Sequence, residues 1–157
     1  TGLDAPALQR KIGILRKVLA RHATAHTPLE TLAAFGGFEI ATMVGAVLEA
    51  AAQRRLIVVD GFIATAALLI AHALAPEVLR ACVFAHRSRE PGHAAQLAHL
   101  RAEPLFDIGL CLGEGSGSAL AFGVVQSAIA LYHEMAGFAD AGVSTAADAT
   151  TDEPADA

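Results

Sequence analysis

The chain of 157 residues carries 11 Lys and Arg against 16 Asp and Glu, and its 17% of charged residues falls below the roughly 25% of an ordinary soluble domain. With 54% hydrophobic but only 5% aromatic residues, it reads as one domain with a thoroughly buried interior, not as a solvated or disordered chain. The net charge of −5, with no basic run to displace phosphate counterions, argues against nucleic acid and against anionic lipid as partners.

Helix signals open the chain. Asp4 is placed to cap, Pro6 suits a first turn, and Leu8, Ile12, Leu15 and Leu19 recur at helical spacing. Lys11 falls close to that apolar stripe, while Arg10, Arg16, Lys17 and Arg21 look outward. A short apolar turn after Pro28 leads to Phe35-Gly36-Gly37-Phe38 and a second helix from about Glu39 to Gln53. Leu56 to Val59 is a continuous apolar run, as in a strand buried on both faces of a parallel sheet. A third helix, Phe62 to Leu74, a turn at Pro76 and a second strand around Cys82-Val83-Phe84 follow. A polar loop from His86 to Gly92, a helix from His93 to about Arg101 and a third apolar segment from Leu105 to Leu110 come next. The Gly113-Glu114-Gly115-Ser116-Gly117 loop then opens a long helix, Ser118 to about Ala139. Residues 145–157, rich in Ala, Thr, Asp and Glu, read as a disordered acidic tail.

Residues 56–75 are long enough to span a bilayer, but four β-formers, Asp60-Gly61 and an Ala/Leu-rich run are better explained by a strand, a turn and a buried helix. No signal peptide is visible at Thr1, and the lack of an initiator Met puts the true N-terminus elsewhere or implies its removal. Cys82 and Cys111 form no C-x-x-C pair and read as apolar packing, so a disulfide framework is not expected and a reducing cytoplasm is the default.

Alternating strands and helices with short links imply an α/β layer fold with a mainly parallel sheet, whose ligands bind beyond the carboxyl ends of the strands. That rule selects Asp60-Gly61, the loop from His86 to Gly92, and the glycine loop. Three alternate glycines let the backbone approach a ligand and leave amides free to donate. The spacing is neither a dinucleotide fingerprint nor a P-loop. Glu114 is either a carboxylate whose partial desolvation makes it a better proton acceptor or a cap for the following helix. Arg87, Ser88 and Arg89 suit a phosphate or carboxylate, or form a solvated loop. Lys11 either reaches a phosphate or snorkels at the surface. Asp60 either meets a ribose hydroxyl or caps the next helix. His22 and His26 are four apart, but the Glu of H-E-x-x-H and a third ligand are missing, so no metal is expected. Tyr132 and His133 read as a core edge or an interface.

Phe35-Gly36-Gly37-Phe38-Glu39-Ile40-Ala41, Val59-Asp60-Gly61-Phe62-Ile63-Ala64, Ala85-His86-Arg87-Ser88 and Leu112-Gly113-Glu114-Gly115-Ser116-Gly117 carry a likeness. In that order and spacing they closely resemble the C-terminal half of nicotinate-nucleotide:dimethylbenzimidazole phosphoribosyltransferases, over Gly2 to about Ser144. The resemblance implies a Rossmann-like three-layer α/β/α domain over residues 1–144 with C-terminal helices contributing to a smaller helical domain, and a cytoplasmic homodimer without a cofactor. The implied substrates are nicotinate mononucleotide and dimethylbenzimidazole, and the product is α-ribazole phosphate for cobalamin synthesis. Glu114 falls on the family's catalytic glutamate, Lys11 on a lysine near the nucleotide phosphate, and Ser88 on a serine of the phosphate and ribose region. Gly113, Gly115 and Gly117, with Leu112 and Ser116 in the same motif, would wall the two stacked rings, and Asp60 and Gly61 would lie at the floor of the site. Cys111 replaces a usual Arg and Ser118 a common Ala. The family's N-terminal motifs, including Glu-x-Gly-x-Gly-Asn-Thr-Thr, are not found, so the chain is expected to be a fragment, a proteolysed product or one piece of a split enzyme. Two other readings stay open: a non-catalytic nucleotide-binding or assembly module, and another nucleoside-processing enzyme using Glu114.

Overall fold

The computed structural model describes residues 4–137 and 140–142, so the expected tail at 145–157 lies outside the described residues. Six α-helices and two short strands follow in order: α1 (Ala5–Arg21), α2 (Pro28–Phe35), α3 (Phe38–Ala52), β1 (Ile57–Val59), α4 (Gly61–Leu74), β2 (Cys82–Phe84), α5 (Pro91–Leu100) and α6 (Ser116–Glu134). A 3-10 helix, Pro76–Ala81, joins α4 to β2. The chain divides into two compact units at Ala121, and both strands and helices α1 to α5 lie in the first.

The α/β class and the parallel pairing expected from the sequence are what the structure shows. β1 and β2 pair in parallel with Ile57 opposite Cys82 and Val59 opposite Phe84. Parallel neighbours need a crossover, supplied here by α4 and the 3-10 helix. The ladder runs on past β2: Ala85 N–H donates to Val59 O, Phe106 N–H to Ala85 O and Arg87 N–H to Phe106 O. The third apolar segment thus joins the sheet edge only through a single parallel bridge, His86 to Phe106, and is not a full strand.

α4 is the centre of this unit. Gly61, Thr65, Leu68 and Ala71, spaced at three and four residues, lie on one buried face together with Ala67. Leu68 packs in a cluster with Val44, Val59, Val78, Phe84, Leu97 and Leu100. Burying each such side chain contributes roughly 1.5–3 kcal/mol relative to leaving it exposed. Ile57 and Val58 are only half-buried, contrary to the two-sided burial expected, and both line an apolar cavity of about 130 Å³ together with Met43, Val47 and Ala64.

Helix α1 begins as expected, with Asp4 Oδ1 accepting from the Ala7 N–H. Its packing differs from the expected stripe: Leu8, Leu15 and Leu19 are exposed, and Ile12 and Val18 are half-buried. No layer covers the outer side of that stripe among the described residues. The segment after Pro28, expected as a turn, is the eight-residue helix α2. Its cause is a capping box: Thr27 Oγ1 accepts from the Glu30 N–H, and Glu30 Oε2 accepts from the Thr27 N–H. Donation from the Thr27 N–H, and then from the Thr27 hydroxyl and the His26 N–H, holds the Glu30 carboxyl below its ordinary range. Replacing Thr27 by Ala is expected to destabilise the fold by about 1 kcal/mol, with Ser restoring most of it, measured by denaturant melts.

Candidate functional site

The ladder brings three loops to one end of the sheet, and between them lies a cavity of about 680 Å³. Its lining includes Lys11, Asp60, Gly61, Ser88, Gly113, Glu114 and Gly115 from the sequence-derived set. Such a volume is in the range of small-molecule sites. Leu112, Ser116 and Gly117 do not line it. Leu112 is 74% exposed, Ser116 starts α6 with its hydroxyl oxygen buried and without a hydrogen-bond partner, and Gly117 lies behind the wall against Asp60 and His86.

Asp60 precedes α4 but makes no side-chain cap. Its Oδ1 instead lies 3.1 Å from His86 Nδ1, a contact too poorly aligned for a hydrogen bond, with both side chains nearly buried. Gly61 turns the chain here at φ +68°, in the left-handed region open to glycine at little cost, and a side chain there would press on the His86 ring. Gly117 is held to glycine more strictly, since an added Cβ would overlap both His86 and Asp60. Replacing Gly117 by Ala is therefore expected to destabilise by about 1–3 kcal/mol, with the loss read from thermal melts.

Glu114 has φ +56° between Gly113 at +76° and Gly115 at +79°, so three successive residues are left-handed. For a non-glycine residue that conformation costs roughly 1–2 kcal/mol. Among the described residues the Glu114 carboxylate makes no hydrogen bond and no ion pair, which removes the capping alternative. It is also exposed, so the desolvation expected from the neighbouring apolar segment is absent: the loop stands at the rim of an open cavity. Cys111 is exposed and lines the cavity, not packed as expected, because the chain leaves the sheet after Phe106 and turns through Gly109 at φ +71°. The other thiol, Cys82, donates to Val78 O, and burial pushes its pKa up to about 11.

The two guanidiniums of the loop after β2 separate. Arg87 reaches Asp107 at 3.5 Å on the surface, whereas Arg89 lines the cavity. Sequence reasoning placed His86 in the selected loop without giving it a role and did not single out Met43, Phe62 and Ile63, which also line the cavity. The signal for His86 was available, since it opens the loop after β2 that the strand-end rule selects, two residues past Phe84. No group of three His, Cys, Asp or Glu side chains suited to a metal occurs among the described residues, and His22 instead stacks edge-on against Phe35. No helix is long and apolar enough to cross a membrane among the described residues.

A family model described as phosphoribosyltransferase matches residues 1–143. The chain belongs to this phosphoribosyltransferase family. It is 62% identical over 144 residues to the nicotinate-nucleotide–dimethylbenzimidazole phosphoribosyltransferase of Variovorax paradoxus, covering 92% of this chain and 41% of that protein. The enzyme of the same name from Ralstonia nicotianae is 57% identical over 154 residues, covering 98% and 44%. Among solved structures, the crystal structure of CobT from Thermus thermophilus matches with a TM-score of 0.84 at 40% identity, covering 92% of this chain and 43% of that one. The chain thus spans about two fifths of the length of the relatives it matches.

Behind the cavity lies His93, 1% exposed in the first turn of α5. Burial, and then the nearby His86 and Arg87, hold its pKa below the ordinary value of 6.5. The unfolded chain therefore takes up this proton first as pH falls, and the stability His93 contributes is full above about 6.5 and declines below it. Thermal melts between pH 8 and pH 5 are expected to fall more steeply for the wild type than for His93→Asn, which cannot titrate.

Proposed function

We propose that this chain carries the base and part of the phosphate site of an enzyme that transfers the phosphoribosyl group of nicotinate mononucleotide to dimethylbenzimidazole, releasing nicotinate. The observation that carries the reading is the single cavity lined by Glu114, Lys11, Ser88 and Asp60, with Met43, Phe62 and Ile63 as apolar wall. A flat aromatic base suits those apolar side chains, and a phosphorylated sugar suits the ammonium, hydroxyl and guanidinium at the same wall.

In this mechanism a benzimidazole ring nitrogen attacks the anomeric carbon. The bond from that carbon to nicotinate breaks, and its electron pair leaves on the nicotinate nitrogen. Attack acidifies the N–H at the second benzimidazole nitrogen, and the Glu114 carboxylate takes that proton, a contribution of about 10²–10⁴-fold for a positioned base. The exposure of Glu114 and its freedom from hydrogen bonds leave it available to an incoming base. Lys11 and Ser88 bind the phosphate and ribose. Asp60 and Gly61 form the floor, and Gly113 and Gly115 shape the wall around the rings, with Leu112, Ser116 and Gly117 flanking them in the chain. The reading extends to a role in cobalamin synthesis, a Rossmann-like three-layer domain over residues 1–144, an acidic tail at 145–157, and a cytoplasmic homodimer. Exposed Leu15 and Leu19 on α1 support burial against further protein, and free Cys82 and Cys111 support a reducing compartment.

The test is chromatographic detection of α-ribazole phosphate from nicotinate mononucleotide and dimethylbenzimidazole, using this chain and the complete reading frame that encodes it. Turnover that Glu114→Gln lowers at least a hundredfold is the expected result. Turnover by neither protein would overturn the transferase reading and favour a binding module.

A further inference from the structure

We propose that His93 is a positioning residue for the nucleotide end of the cavity, locking the loop after β2 to the turn after β1 through a neutral imidazole of one tautomer. The inference rests on the transferase reading only for the identity of the ligand. The lock itself is read from three contacts. The Ser88 N–H donates to His93 Nδ1 at 2.9 Å, so that nitrogen carries the lone pair. The proton of the neutral ring is then on Nε2, 3.1 Å from Thr65 Oγ1, to which it donates. Thr65 Oγ1 in turn donates to Gly61 O at 2.6 Å. One chain of hydrogen bonds thus runs from Ser88 through α5 to α4 and ends on Gly61, and both end residues line the cavity while His93 and Thr65 do not.

The order of donors leaves no slack. Thr65 is fully buried, and every polar atom of the relay has a partner, so the network holds one geometry. A protonated ring would have no lone pair for the Ser88 N–H, and the other neutral tautomer would set two donors against each other. Burial first, then the His86 ring with centroid 6.4 Å away and Arg87, disfavour the cation at His93, and the N-terminal turn of α5 acts in the same direction. Ser88 is also held by its own hydroxyl, which accepts from the Glu90 N–H, so its side chain is fixed on the backbone that the lock positions.

The relay is tested at Thr65, which lies outside the cavity wall. In the complete reading frame, Thr65→Val keeps the shape but leaves the His93 Nε2–H unmatched, whereas Thr65→Ser keeps the hydroxyl. For a positioning role, the Kd and KM for nicotinate mononucleotide rise about tenfold in Thr65→Val and return to within twofold in Thr65→Ser, while kcat and the KM for dimethylbenzimidazole change less than twofold. A folded Thr65→Val with unchanged nucleotide Kd, or one that loses only active fraction, overturns the proposal. Should that variant not fold, nitrogen NMR of the wild type decides: a neutral His93 protonated on Nε2, with a Ser88 amide that exchanges more slowly when nicotinate mononucleotide is added, supports it. A His93 protonated on Nδ1 overturns it, as does a Ser88 amide indifferent to the nucleotide. Nucleotide binding without turnover separates the two readings, because it leaves the lock standing while the transferase reading fails.

Discussion

The parallel ladder between β1 and β2 is the constraint on which the site depends. Register places Val59 opposite Phe84, and the next backbone bonds carry the pairing through Ala85 to Phe106. Because the strands run the same way, their carboxyl ends lie together, and Asp60, His86 and the segment after Phe106 must emerge side by side. An antiparallel pairing of the same strands would have put Asp60 and His86 at opposite ends. The helices serve this arrangement, since α4 both makes the crossover and buries the face that holds the ladder in place.

Close approach behind the cavity follows from the same arrangement. The start of α6 comes so near the strand ends that Gly117 has no room for a side chain beside Asp60 and His86, and Ser118 Oγ donates to Val58 O at 3.2 Å. The loop that delivers the chain to this point is left-handed at three residues in a row, and only the middle one carries a side chain. Local strain is thus concentrated at Glu114, where the surrounding glycines leave the carboxylate exposed and without a partner. Stiff parts and strained parts serve one cavity: a satisfied imidazole relay lies behind Ser88 and Gly61, and an unsupported carboxylate stands at the rim.

Much of this was legible along the chain. The strand-turn-helix order, the crossover, the glycine loop and the residues Lys11, Asp60, Ser88 and Glu114 follow from patterns local to a few residues, and the family follows from four motifs in fixed order. Where reading failed, the cause was packing or local chemistry. The Leu8, Leu15 and Leu19 stripe promised a buried face, but periodicity says only that a face is apolar, not that something covers it. The α2 helix was missed although Thr27-Pro28-Leu29-Glu30 is a capping box in plain view. Cys111 was read from its apolar neighbours, and the break in the sheet after Phe106 reversed its burial.

The sequence by itself determined the α/β class, the family and the identity of the groups at the strand ends, because backbone periodicity, turn chemistry and motif spacing are short-range properties. Only the tertiary structure decided which of those groups share a cavity, that Arg89 enters it while Arg87 turns away, and that Glu114 stands exposed. It alone revealed that His93, 28 residues from Thr65, ties two loops through one ring. The physical reason is that a hydrogen bond between distant segments depends on how helices pack on a sheet, and packing is settled by the whole set of buried side chains at once.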